Sequence, residues 1–244
     1  MILRQQKIVD TLTSISSLFI NELSSKDRIS KQFILNKIIE GSYKSKSLNI
    51  NWNDIFENNE QSSESSKSLS GTRLSSSRSS LRLTSEPIPT YLPLNTHFKI
   101  NGIKKESGKI FKSALQPISI TFLNEETKEE LSIIFKKGDD LRQDMLISQM
   151  IKFMNDCLSA NNLDLCLSPY HVLATGIDTG FVELIQNSLT VSAILKQFGS
   201  IQEYFKKSNP NGICTPDVVK TYIKSCAGYC IITYLLGIGD RHLE

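Results

Sequence analysis

Two short strings in this chain hold the residue types that chemistry on phosphates and hydroxyls requires. Near the end, Gly239-Asp240-Arg241-His242-Leu243 sets an acid, a fixed cation and an imidazole side by side. An Asp or a His can take a proton from a hydroxyl, and the His suits the task because its ordinary pKa of about 6.5 lies near working pH. Arg241, always charged, reads as an anchor for the loop. Well upstream, Lys136 closes the β-rich run Leu131-Ser-Ile-Ile-Phe-Lys136, which Gly138 then breaks. A lysine at a strand end reaches phosphate oxygens as a compact, flexible point charge. Asp139, Asp140 and Asp144 follow it; acids favour the first turn of a helix, and Asp144 is expected to pair with Lys136 and orient it. Alone, each string also admits a plainer reading, a solvated strand end in one case and a polar loop after a helix-ending glycine in the other.

The surrounding elements must bring these groups together. Short β-type runs at 98–103, 118–123 and 131–135, the last two joined by a polar loop at 124–129, predict an antiparallel meander. Between the first two runs, Phe111-Lys-Ser-Ala-Leu-Gln-Pro117 reads as a turn. Residues 141–158 carry Leu146, Ile147, Met150, Ile151 and Met154 on one face, which predicts a helix packed behind the meander with Met as core filler. Two further strand-like segments, 170–175 and 181–185, flank a turn with Gly176 and Gly180. Beyond them the period becomes helical. Ser200 with Glu203 reads as a capping box, and Thr215-Pro216-Asp217 opens a helix that runs to Leu236 and ends at Gly237. Along that helix Val218, Tyr222, Cys226, Cys230 and Tyr234 form one stripe, in which the two thiols read as small buried groups.

Composition narrows the classes. With 244 residues and 39% apolar content, the chain can bury a core as one large or two small domains. A net charge of +3 and a pI near 8.5 are too mild to call for nucleic acid, though they do not oppose an anionic membrane. Five cysteines without a Cys-x-x-Cys pair indicate neither a disulfide framework nor a zinc site, and fit an intracellular setting. No apolar run approaches the roughly 18 residues of a membrane span, and the start lacks a signal-peptide core, so any membrane contact is expected to be peripheral. Residues 1–41 predict two amphipathic helices, on Ile8, Leu12, Ile15, Phe19 and Leu23 and then on Ile29, Phe33, Leu35 and Ile38, broken around Ser24-Ser25. Residues 42–86 are expected to be a linker holding a serine-rich insertion, from about Asn58, too poor in large apolar residues to offset chain entropy. Its Arg73-to-Ser76 string invites phosphorylation, against the simpler reading of a solvated, disordered linker.

The order Asp240-Arg241-His242 inverts the His-Arg-Asp of ordinary protein kinases. With Phe135-Lys-Lys-Gly-Asp-Asp-Leu-Arg-Gln-Asp144, it resembles the phosphatidylinositol 3- and 4-kinases and their protein-kinase relatives. Residues 224–243 and the string Gln5-Gln-Lys-Ile-Val-Asp-Thr-Leu12 are similar to the class III phosphatidylinositol 3-kinases. The likeness runs from about Tyr91 to Glu244, plus the first helix. It implies an α+β, bilobal catalytic domain: a helical segment at 1–41, an N-lobe of antiparallel sheet and helices with its hinge at 87–185, and the start of a C-lobe, incomplete here, at 186–244.

The resemblance further implies transfer of the γ-phosphoryl group of ATP, with Mg2+ or Mn2+, to the inositol 3-hydroxyl of phosphatidylinositol. Phe111 and Ser113 would sit in the phosphate-facing loop and Lys136 would hold phosphates. Asp144 would hold Lys136, and Tyr170 would lie at the back of the pocket near Asp144. The backbone of Glu183, Leu184 and Ile185 would bond adenine. Asp240 or His242 would manage the hydroxyl proton, with Arg241 anchoring the loop. The family's metal-binding Asn and Asp-Phe-Gly do not occur by Glu244, so the metal ligands are expected beyond it and these 244 residues are expected to lack turnover alone. Implied partners are membrane phosphatidylinositol and regulatory pseudokinase-type and autophagy-related subunits. The implied setting is cytoplasmic, peripheral on endosomal, vacuolar or autophagic membranes, in trafficking and autophagy. Two other classes share these features, a related protein kinase and a non-catalytic kinase-fold binding module; the retained Lys136, Asp144, Asp240 and His242 count against the module.

Overall fold

The computed structural model describes residues 2–43, 50, 52–56, 89–209 and 211–240. Arg241, His242 and the serine-rich insertion lie outside the described residues. The chain divides into two compact units, Met1–Gly108 with Phe122–Glu130 and Lys109–Thr121 with Leu131–Glu244.

In the first unit, helix α1 (Ile2–Ser17) buries Ile8, Leu12 and Ile15 completely, as their spacing predicts. It runs into a π-helical turn, Leu18–Glu22, whose wider winding lets the adjacent Leu18 and Phe19 both reach the core. Asp27 then caps α2 (Arg28–Ile39) by accepting the Ser30 N–H at 3.4 Å. The face of α2 differs from the predicted one. Leu35, Ile38 and Ile39 are buried, whereas Ile29 and Phe33 are exposed, with the Lys37 ammonium 4.5 Å from the Phe33 ring. Part of the expected linker is packed too. Trp52, just before the short α3 (Asn53–Phe56), donates its indole N–H to the Ile38 carbonyl at 3.1 Å and is buried together with Ile55. Strands β1 (Tyr91–Leu92) and β2 (Asn95–Ile103) pair antiparallel, and β2 also pairs with residues 122–124 of β4 (Ile118–Asn124).

The second unit holds β3 (Lys109–Ile110), the first four residues of β4 and nearly all of β5 (Glu130–Lys137). It continues with α4 (Arg142–Ala160), β6 (Val172–Ala174) and β7 (Thr179–Glu183). Three helices complete it: α5 (Val191–Phe198), α6 (Ile201–Ser208) and α7 (Pro216–Leu235). Its strands follow the order β4-β5-β7-β6, with β3 beside β4. The architecture is α+β. Ile118, Ile120, Ile133, Phe135 and Phe181 are fully buried, and the Phe135 and Phe181 rings, cross-strand partners, pack 5.3 Å apart. β4 is covered on both faces, and its buried Thr121 Oγ1 shares a 2.8 Å hydrogen bond with Ser132 Oγ of β5.

The β6–β7 hairpin is tight. A Cβ on Gly180 would lie 2.6 Å from the Leu173 carbonyl oxygen, so only glycine fits there. The helices are less covered than their patterns predict. α4 has no buried residue, and Leu146 is 57% exposed. In α7 the predicted stripe is largely open: Cys226 and Cys230 are exposed rather than buried, and Tyr234 is 84% exposed. Ser200 caps α6 through the Glu203 N–H at 3.1 Å, but the Glu203 carboxylate turns to Lys206 at 2.7 Å instead of closing the capping box.

Candidate functional site

Lys136, next to last in β5, stands opposite Gly180 of β7. Past it, Gly138 at φ +86° turns the chain and donates its N–H to the Asp178 carbonyl at 2.6 Å. That turn folds Asp139 back so that its Oδ2 accepts from Lys136 Nζ at 2.9 Å, with both side chains about one-third exposed. The expected partnership is therefore corrected. The i,i+3 acid across a glycine turn captures the lysine, and among the described residues Asp144 forms no ion pair with it. Asp140 opens α4 by accepting the Arg142 N–H at 3.1 Å and its guanidinium at 2.6 Å. The Arg142 hydrogen bond holds the Asp140 carboxyl down to about 2.

Asp144, in the first turn of α4, faces a cavity of about 600 Å³, within the range of small-ligand sites. α4 supplies Asp144, Ile147, Ser148 and Ile151; Tyr170 and Ile185 close other sides; Tyr229, Thr233 and residues 236–239 complete the wall. Ser148 Oγ donates a short hydrogen bond to the Tyr170 carbonyl, which ties α4 to the segment entering β6. Gly237, at φ +62°, ends α7, and Asp240 follows the wall residue Gly239 with φ +51°, a left-handed backbone that Asp tolerates better than most residues.

Three of the residues expected in the site, Asp144, Tyr170 and Ile185, thus line one space, with the backbone leading into Asp240. Phe111, Ser113, Lys136, Glu183, Leu184 and Asp240 are not among its lining residues. Phe111 and Ser113 form a local turn, the Phe111 N–H donating to the Pro117 carbonyl at 3.0 Å and the Ser113 N–H to the Phe111 carbonyl at 3.1 Å. The 183–185 backbone is partly committed. The Glu183 N–H donates to His171 O and the Leu184 N–H to Ser132 O, each at 2.9 Å, while the Ile185 N–H enters no backbone hydrogen bond among the described residues. Of the backbone expected to meet adenine, the Ile185 N–H is thus the one amide without a backbone acceptor among the described residues. Sequence reading missed Ser148, Tyr229 and Thr233. The spacing of Tyr229 and Thr233, i and i+4 and off the predicted stripe, was the signal that could have placed them together.

Residues 130–244 match the family described as phosphatidylinositol 3- and 4-kinase. Among curated relatives of this kinase region, the chain is 48% identical over 171 residues to phosphatidylinositol 3-kinase VPS34 of Arabidopsis thaliana, an alignment covering 68% of this chain and 20% of that protein. It is 44% identical over 160 residues to the VPS34 of Saccharomyces cerevisiae, covering 64% and 18%. The type 3 catalytic subunit of Caenorhabditis elegans is 39% identical over 171 residues, covering 63% and 19%. The chain spans about a fifth of the length of the curated relatives it matches. The kinase family implies ATP and a divalent metal. Among the described residues no group of three His, Cys, Asp or Glu side chains is placed to hold a metal ion, so the residues at hand do not make up such a site. Among them, too, no helix is long and apolar enough to cross a membrane.

Proposed function

We propose that this chain supplies the nucleotide-binding side of a phosphatidylinositol 3-kinase that phosphorylates the inositol 3-hydroxyl of membrane phosphatidylinositol, in endosomal or vacuolar trafficking and autophagy. The observation that supports this reading most is the cavity that gathers Asp144, Tyr170, Ile185 and the glycine preceding Asp240. An adenine ring would lie between the apolar Ile147, Ile151 and Ile185, with the uncommitted Ile185 amide as its donor. Lys136 would meet phosphates by exchanging its Asp139 contact for a stronger, more highly charged partner. Phe111 and Ser113 would close over those phosphates with hydroxyl and backbone donors. Asp240 or His242 would accept the hydroxyl proton and Arg241 would anchor their loop. Mg2+ or Mn2+ would neutralise phosphate charge when bound. Regulatory pseudokinase-type and autophagy-related subunits, and a cytoplasmic position peripheral on endosomal, vacuolar or autophagic membranes, belong to the same reading.

The test is an assay of the intact protein with labelled ATP and vesicles of phosphatidylinositol, its 4-phosphate, or a protein acceptor. Label at the 3-position of phosphatidylinositol, lost in Asp240→Asn, is the expected result. Label on protein alone would overturn the lipid reading, and no nucleotide binding at all would overturn the kinase reading.

A further inference from the structure

His171 and Glu183 face each other one residue beyond the paired Val172 and Val182, where β6 and β7 run out. Three hydrogen bonds join them. The Glu183 N–H donates to the His171 carbonyl at 2.9 Å, the His171 N–H donates to Glu183 Oε2 at 2.9 Å, and His171 Nδ1 meets the same oxygen at 2.6 Å. A carboxylate oxygen only accepts, so Nδ1 carries the proton in this contact whichever state Nε2 is in. Half-exposed ion pairs contribute little stability through charge alone, so this clasp matters for what it positions.

Its two ends adjoin the cavity. Tyr170 precedes His171 and lines the space; Ile185 lines it two residues after Glu183, with Leu184 between them pinned to Ser132 of β5. The Tyr170 carbonyl is held from the opposite side by Ser148 of α4. Loss of the Glu183 carboxylate would free the His171 N–H and ring and loosen the restraint on the separation of Tyr170 and the Ile185 amide, leaving the Glu183 N–H on the His171 carbonyl. On the packed helix α4, Arg142 pairs with Asp140, and Asp144, Lys152 and Asp156 make no ion pair with His171 among the described residues, so Glu183 is its charged partner.

We propose that His171 is a positioning residue for nucleotide binding, acting through Glu183 to set the spacing between Tyr170 and the Ile185 amide across the mouth of the cavity. The inference rests on reading the cavity as the nucleotide site. It concerns residues that take no part in chemistry, so it predicts a split between binding and turnover: in the intact protein, His171→Ala raises KM for ATP about tenfold and leaves kcat within about twofold. Glu183→Ala, which removes both bonds to Oε2 where His171→Ala removes only that of the ring, raises KM at least as much, and the double substitution is no worse than Glu183→Ala alone. Glu183→Gln keeps an oxygen acceptor and His171→Lys keeps a donor, so each restores KM to within about threefold of the parent.

Unchanged KM for ATP in His171→Ala, in a protein that binds ATP normally before substitution, overturns the clasp and leaves the nucleotide reading intact. Additive losses in the double substitution, or a fall in kcat and melting temperature without a rise in KM, overturn it as well. Should the alanine forms fail to fold, Glu183→Gln and His171→Lys decide: both must bind ATP nearly as the parent does, and a tenfold loss in either sinks the proposal. Failure of the unsubstituted protein to bind ATP in calorimetry would remove both readings together.

Discussion

In α1, Ile8, Leu12 and Ile15 are sealed from solvent, whereas in α7, the longer and more apolar helix, only Gly228 and Ile232 are buried while Ile223 and Ile231 each stay 60% exposed. Both sequences show apolar residues at helical spacing. The difference teaches that periodicity establishes a helix and a face, while the neighbours decide whether that face becomes core. α1 has Trp52, Ile55 and Leu92 in its own unit as buried company. α7 is attached instead along a narrow seam. A Cβ on Gly228 would come within 2.8 Å of Leu167 Cδ2 and 3.2 Å of Leu165 Cβ, the Tyr229 hydroxyl accepts the Ser168 N–H at 3.1 Å, and Lys224 reaches Asp164 at 3.4 Å.

The contrast can be broken at its strong end first. Leu12→Ala should cost about 2–5 kcal/mol, because it leaves a cavity in a fully covered site, and denaturant melting of the first unit's signal would read it. A loss below about 1 kcal/mol would mean that α1 is no better packed than α7. Gly228→Ala comes next. The added methyl must push the end of the Leu167 side chain aside, but alanine gains about 1 kcal/mol of helix propensity over glycine, so a net loss of about 0.5–1 kcal/mol should appear as faster amide exchange along α7 with α1 unaffected. Ile223→Ser and Ile231→Ser should each change stability by less than about 0.5 kcal/mol, in keeping with surface positions, and a larger loss would show that something covers this face in solution.

The smallest effect lies at the start of α4. Arg142 lowers the Asp140 pKa to about 2, so this contribution to the first turn is complete above the ordinary carboxyl range and fades as pH falls toward 2. An NMR titration of the Arg142 amide should follow that step, and Asp140→Asn should abolish it.

Much of this was readable beforehand, for identifiable reasons. Strands β4 and β5, their hairpin and the limits of α4 follow from alternation, turn residues and period. The partner of Lys136 did not, because the sequence offers Asp139, Asp140 and Asp144 at once and only the left-handed turn at Gly138 selects the first. The clasp was hidden for a related reason. His171 and Glu183 stand twelve positions apart, and only hairpin register makes them neighbours. The π-helical turn escaped notice since one extra residue per winding leaves the apolar content unchanged and alters only which side chains point inward. The likeness of Asp240-Arg241-His242 to a catalytic loop was legible from residue order, and residues 130–244 match the family described as phosphatidylinositol 3- and 4-kinase.

Gly180 carries one more implication. With a carbonyl where a methyl would have to go, the two strands beside it sit at closest approach and have no slack to trade. A ligand too bulky for the adjoining cavity would therefore find room by displacing α4 or the glycine-flanked stretch 237–239 rather than these strands.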